Sequence, residues 1–158
     1  MSSSNKTTGS KTRNSVRACS LREVATAYAL SEETGQAEDY YRRALAKDPL
    51  LAGAHAGMGA LLESTKRLEQ AERSYRRALE IDPDLLTAQQ LLAELLLRRG
   101  EAAEAAEWLR RSVLLNPANA LLRRNLAHAL QRLGNVEEAE AELDQARQIE
   151  ARENPRTK

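Results

Sequence analysis

The chain has 158 residues, a length that suits one domain or four repeats of about 34 residues with short tails. Apolar residues make up 42% and charged residues 30% of it, and no apolar run approaches the roughly 18 residues that span a bilayer. The single Cys19 excludes an internal disulfide and a multi-cysteine zinc site, and a net charge of +1 is not the basic excess of a typical nucleic-acid-binding domain.

The chain opens with a basic, polar segment. Residues 1–17 are rich in Ser, Thr, Lys and Asn and have few apolar side chains to bury, so we expect a disordered tail. Five basic residues precede the first acid, Glu23, and the remaining 19 of the 24 basic residues are outnumbered by 23 acids. No apolar core of a signal peptide precedes Cys19, which predicts an unmodified thiol and a cytoplasmic protein.

A helix is predicted to follow this tail. Ser20 and Glu23 have the spacing of a capping box, in which a hydroxyl and a carboxylate each bind a free amide of the first helical turn. Apolar residues recur at helical spacing, so we predict a helix from about Leu21 to Glu32. Gly35 interrupts the pattern before a second apolar stripe continues toward Pro49, which completes one helical hairpin.

The hairpin is repeated along the chain. The phrase YYRRALAKDP at residues 40–49 returns as SYRRALEIDP at 74–83 and as WLRRSVLLNP at 108–117, so the interval is 34 residues. A period of this size is typical of stacked helical repeats, in which each unit buries its apolar face against its neighbours. We predict a repeat domain over residues 18–153, with repeats at 18–51, 52–85, 86–119 and 120–153, and a disordered C-terminus at 154–158.

The fourth repeat carries the signals of an end to the array. Arg147 stands where earlier repeats have apolar residues such as Leu79 and Val113, and it would be buried if a fifth hairpin packed against it. Ala151 takes the place of the repeated proline, so the last helix is predicted to continue to about Glu153. We therefore expect this helix to present a polar outer face to solvent.

Three glycines lie in one predicted helix, at a cost of roughly 2–3 kcal/mol relative to alanine. Gly59 belongs to a series of small residues that would let the two helices of each hairpin approach closely. Gly53 and Gly57 have two interpretations, a bare surface that admits a ligand backbone or neutral drift. No Gly-Lys-Ser/Thr follows them, so a phosphate-binding loop is not predicted.

These repeats resemble the tetratricopeptide repeat (TPR). The family pattern of alternating large and small residues ending in proline is matched at seven of eight positions in the first repeat, preceded by Leu21: Val24, Ala25, Tyr28, Ala37, Tyr41, Ala44 and Pro49. The resemblance covers residues 18–153 and implies an all-α fold, a right-handed α-solenoid of four helix-turn-helix hairpins. The later repeats depart from the pattern at the early bulky position, where they have His55, Gln89 and Arg123.

The resemblance also implies where a partner would bind. In TPR proteins the first helices of successive repeats line a concave groove that holds an extended peptide or a helix of another protein. The corresponding candidates here are Arg22, Thr26, Gly53, Ala56, Gly57, Ala60, Glu63, Gln90, Glu94, Leu97, Leu121, Arg124 and His128.

Chaperone-binding members of the family hold a terminal carboxylate with a Lys/Asn/Asn/Lys/Arg clamp. The matching positions here are Arg22, Thr26, Gly57, Thr87 and Leu91, of which only Arg22 is basic. We therefore do not expect this chain to bind the C-terminal tail of Hsp70 or Hsp90.

Little in the sequence indicates catalysis. Neither His55 nor His128 has a ligand-type residue at metal-binding spacing, and adjacent acids point to different helix faces, so we predict no enzyme activity, no metal and no cofactor. Paired arginines such as Arg42 and Arg43 have acids one turn earlier, which is typical of surface ion pairs. An RNA- or anion-binding face is the alternative, and the lack of stacking aromatics disfavours it.

The sequence therefore predicts a non-enzymatic scaffold that binds a peptide or helix of another protein in its concave groove, without a nucleic-acid partner or membrane insertion. Two alternatives remain open. One is an assembly factor for bacterial envelope machinery, such as pili or secretion systems, which would need an export signal. The other is a TPR regulatory module of a larger enzyme.

Overall fold

The computed structural model describes residues 5–31 and 33–153, with the side chains of residues 15–31 and 33–153. Within these residues the structure contains eight helices and no strand, which confirms the predicted all-α fold. The helices are α1 (Asn5–Leu30), α2 (Thr34–Lys47), α3 (Ala52–Ser64), α4 (Leu68–Ile81), α5 (Leu86–Arg99), α6 (Ala102–Leu115), α7 (Ala120–Arg132) and α8 (Val136–Glu153). None of the helices so described is both long and apolar enough to cross a membrane.

The first helix begins earlier than the sequence predicts. It starts at Asn5 instead of Leu21, so residues 5–17 of the predicted tail are helical. Ser20 is an interior helical residue whose hydroxyl donates to the carbonyl of Val16 at 3.2 Å, and the predicted capping box is therefore wrong. Ala18 is fully buried, as is Ala25 two turns later, so apolar contacts continue upstream of Leu21. Residues 1–4 and the predicted disordered C-terminus, 154–158, lie outside the described residues.

The chain forms two compact units, one ending at Ala88 and the other beginning at Gln89. In the first unit α1 packs against α2, α2 against α3, and α3 against α4. In the second unit α7 packs against both α6 and α8. Fully buried alanines recur through both cores, which lets neighbouring helices lie close together: Ala37, Ala44, Ala71, Ala78, Ala105, Ala127, Ala139 and Ala146.

Close helix packing explains two of the three glycines in α3. A Cβ at Gly59 would lie 2.5 Å from Cε1 of Tyr75, and one at Gly57 would lie 2.5 Å from the hydroxyl of Tyr41. Both tyrosines are buried, so neither ring can move aside easily. The prediction for Gly59 is thus confirmed. At Gly57 a tyrosine from α2 packs against the glycine, which is a structural reason for the missing side chain that neither interpretation included.

The polar residues at the early bulky position have a structural role in both units. His55 Nε2 donates to the carbonyl oxygen of Pro49 at 2.9 Å, and Arg123 Nε donates to that of Pro117 at 3.0 Å. Each side chain therefore ties the start of a first helix to the proline turn that precedes it. Arg123 also pairs with Glu142 of α8 at 2.7 Å, and the two side chains are only 11% and 17% exposed.

The end of the chain agrees with the interpretation of the fourth repeat. The last helix extends to Glu153, as the missing proline predicts. Arg147 is 69% exposed at its side chain and pairs with Asp144 at 2.6 Å. Most side chains on the outer side of α8 are exposed, among them Glu138, Gln145, Gln148 and Arg152. The last helix thus presents a polar face to solvent.

Candidate functional site

In the first unit, the structure brings six predicted binding residues together on the first helices. The hydroxyl of Thr26 on α1 is 3.1 Å from that of Tyr41, whose ring lies over Gly57 on α3. Thr26 and Ala60 are exposed, and the other members are partly exposed. We call these residues the unit-1 surface: Arg22, Thr26, Gly53, Gly57, Ala60 and Glu63. The predicted residue Ala56 is buried, at 5% exposure, and offers little contact area to a partner.

Arg22 lies across Gly53. A Cβ at Gly53 would lie 3.5 Å from Cδ of Arg22, an ordinary van der Waals distance. The guanidinium group has a weak contact with Glu23 at 3.8 Å, and the side chain is 37% exposed. The surface at Gly53 is therefore not bare, because the stem of Arg22 covers it and presents a positive charge there.

Glu63 is bound by Tyr75, the residue whose ring packs on Gly59. Tyr75 donates its hydroxyl to Glu63 Oε2 at 2.8 Å, while the ring itself is buried between α3 and α4. The unit-1 surface therefore has a cation at Arg22, an anion at Glu63, and hydroxyl groups and small residues between them. Such a surface can hydrogen-bond a polar backbone, and the small, exposed side chain of Ala60 leaves room for that backbone to approach.

In the second unit, the predicted residues lie on α5 and α7. Glu94 and His128 are exposed, Gln90 is partly exposed, and Leu121 is 59% exposed. With Arg124 we call these residues the unit-2 candidates. Leu97 is only 6% exposed, so its predicted place on the binding surface is wrong. Its carbonyl oxygen instead accepts a hydrogen bond from Arg132 Nη1 at 2.7 Å, which joins α7 to α5.

Arg124 has a partner that sequence reasoning missed. Its Nη2 lies 2.7 Å from Glu150 Oε2 on α8, and both side chains are more than a third exposed. The signal was available, because the start of α7 and the end of α8 meet in a helical hairpin. The sequence analysis also missed the hydroxyl contacts of Tyr41 and Tyr75, because Tyr41 enters it only as a position of the repeat pattern.

The arginine pairs on the second helices mostly form ion pairs. Arg42, Arg43 and Arg76 pair with the acids four residues earlier at 2.6, 3.6 and 2.9 Å, which confirms the interpretation as surface ion pairs for these three. Arg77 instead pairs with Glu80 three residues later at 2.8 Å, and Arg110 with Glu138 of α8 at 2.9 Å.

The described side chains contain no group of three or more His, Cys, Asp or Glu residues that could hold a metal ion. Each buried polar side-chain atom in the described part of the chain has a hydrogen-bond partner.

Two family models match the chain. One, described as anaphase-promoting complex, cyclosome, subunit 3, matches residues 64–146, just over half of the chain. The other, described as tetratricopeptide repeat, matches residues 25–85. No curated protein matches the chain by sequence.

Solved structures share this fold at low sequence identity. A crystal structure of MamA has a TM-score of 0.80 at 17% identity and covers 87% of this chain and 81% of its own. A second crystal structure of MamA protein has a TM-score of 0.77 at 16% identity, covering 89% and 77%. The first TPR of Spaghetti (RPAP3), bound to HSP90 peptide SRMEEVD, has a TM-score of 0.71 at 20% identity, covering 76% and 95%.

Proposed function

Because the chain belongs to the tetratricopeptide repeat family, we propose that it is a non-catalytic scaffold whose first helices bind a peptide segment or helix of another protein. The observation that carries this proposal is the exposure of Thr26 on α1 and Ala60 on α3, on a surface that also holds the charged side chains of Arg22 and Glu63. A backbone can approach such a surface closely and bind the hydroxyl and charged groups around it.

The similar Spaghetti structure supports the proposal in general terms, because that TPR holds a short peptide. The acidic tail of that peptide is not the ligand that we propose here. On the unit-1 surface Arg22 is the only basic residue, while Glu63 carries the opposite charge. A peptide with both polar and small apolar side chains suits this surface better than a run of carboxylates.

Site-specific photo-crosslinking tests the proposal. A photoreactive amino acid placed at Thr26 or Ala60 should give crosslinked products with a small set of proteins in the native host. The matched controls are Arg73 and Glu80, which are also exposed but lie on α4. Products that are the same from both pairs of positions, or absent from Thr26 and Ala60, would contradict binding at the first helices.

A further inference from the structure

The first hairpin has an apolar surface that its repeat equivalents bury. Val24 is 40% exposed, whereas Met58 and Leu126, one and three repeats later, are 8% and 2% exposed. Tyr28 is partly exposed, whereas its equivalents Leu62 and Leu130 are 5% and 0% exposed. On α1, therefore, Val24 and Tyr28 are at least partly exposed to solvent at positions that are buried in the later repeats.

Helices cover the equivalent positions elsewhere. In the first unit α2 packs against α3, which carries Met58 and Leu62, and in the second unit α6 packs against α7, which carries Leu126 and Leu130. In each case one of the packed neighbours is the second helix of the preceding hairpin. The shape that fits the open positions on α1 is thus an amphipathic helix.

Aromatic rings extend the open surface onto α2. The rings of Tyr28 and Tyr40 stack with centroids 5.3 Å apart, and the guanidinium carbon of Arg43 lies 4.8 Å from the centroid of Tyr40. Tyrosine and arginine are enriched where proteins bind one another, because they combine apolar area with a polar group. We call Val24, Tyr28, Tyr40 and Arg43 the front surface.

The charge beside the front surface indicates the sign of the partner's charge. Arg17 and Arg43 are exposed, and the contact of Arg43 with Asp39 is long, at 3.6 Å. The sequence of α1 contains five basic residues and one acid. We propose that the front surface docks an acidic amphipathic helix of a partner protein. This site is separate from the unit-1 surface, so the inference goes beyond the proposed function.

A second copy of the chain fits the front surface less well. Two α1 helices would bring like charges together, which opposes their association. The acidic helix α8 has the right charge, with seven acids and two basic residues. However, its exposed Arg147 stands where a covering helix of this chain has Leu45 or Val113, so it lacks the apolar contact.

A labelled peptide tests the proposal. The probe is a fluorescein-labelled peptide with the α2 sequence, Thr34–Lys47, in which R42E and R43E make it acidic. Fluorescence anisotropy with the full chain should show saturable binding, and Val24→Asp in the chain should weaken it about tenfold or more, because an aspartate would be buried under the peptide. The control Val136→Asp, at an exposed valine on α8, should leave the affinity unchanged.

A charge exchange provides a second test. Arg43→Glu in the chain should weaken the acidic probe and strengthen binding of the same peptide with its native arginines. Absent binding of the probe, or equal affinity for the Val24→Asp chain, would overturn the proposal. Displacement of the probe by a single-stranded RNA 20-mer would also overturn it, because the surface would then bind RNA. Self-association in sedimentation runs that Val24→Asp abolishes would overturn it as well, because the surface would then bind a second copy of the chain.

Discussion

One backbone position in the repeat requires a left-handed conformation. Gly100 and Gly134 have φ values of 87° and 79° at the turn after a first helix, and Lys66 has a φ of 64° at the equivalent position. Glycine adopts this conformation freely, whereas a side chain meets its own backbone there. Lys66 therefore carries a local strain that its two equivalents avoid.

Lys66→Gly should raise the free energy of unfolding by about 1 kcal/mol, because it removes that strain. The opposite kind of change at an equivalent position, Gly134→Ala, should lower the free energy of unfolding by a similar amount. Urea denaturation followed by circular dichroism measures both. A Lys66→Gly variant that is no more stable than the wild type would show that the turn tolerates lysine without cost.

A partly buried charge pair is the second residue-scale feature. Arg123 and Glu142 stand at positions where the first hairpin has Leu21 and Tyr40. The sequence marks Arg123 only as a departure from the family pattern. The structure shows its reason, since the guanidinium group binds both Glu142 on α8 and the carbonyl oxygen of Pro117.

At the scale of the element, α3 shows how packing decides whether a glycine is needed. The sequence sets Gly59 apart as a member of the small-residue series, but it does not distinguish Gly53 from Gly57. In the structure a Cβ would lie within 2.7 Å of a buried tyrosine at Gly57 and Gly59, but no closer than 3.5 Å to Arg22 at Gly53. The neighbouring helices, and not the helix itself, thus distinguish them.

Gly59→Ala should lower the free energy of unfolding by about 1–3 kcal/mol, because overpacking against Tyr75 exceeds the gain in helix propensity. Gly53→Ala in the same helix is the matched control and should leave the stability unchanged or raise it by up to about 1 kcal/mol. Thermal and urea denaturation of the two variants distinguish these outcomes. Equal destabilisation of both would mean that close packing on Tyr75 is not the cause.

At the scale of the whole molecule, charge is distributed so that most exposed arginines on the second helices have an acidic neighbour. The ion pairs of Arg42 and Arg77 are largely exposed to solvent and are each worth at most about 1 kcal/mol. Their main consequence is electrostatic, because paired guanidinium groups attract phosphates less strongly than free ones.

The protein should therefore not bind nucleic acid. A fluorescein-labelled single-stranded RNA 20-mer should show no saturable increase in anisotropy at about 0.1 M salt, a concentration at which phosphate-based binding of basic proteins is still strong. Heparin serves as a second polyanion in the same assay. Saturable binding of the RNA would favour the anion-binding alternative for the arginine pairs.

The sequence by itself determined the helical repeats and their number. The 34-residue interval and the apolar positions fix where each helix pair lies, since a hairpin of this size can bury its apolar face only against a neighbour. It also predicted the extended last helix from Ala151, because no proline stops the helix there.

Only the tertiary structure decided which side chains remain open. The burial of Leu97 and Ala56, the tyrosine above Gly57, and the pairing of Arg124 with Glu150 all depend on residues from other helices. The start of α1 at Asn5 was also not predicted, because the sequence analysis placed the first helical turn at Ser20. A helical period fixes the direction of a side chain from its own axis, but the neighbouring helices determine whether it meets solvent or another residue.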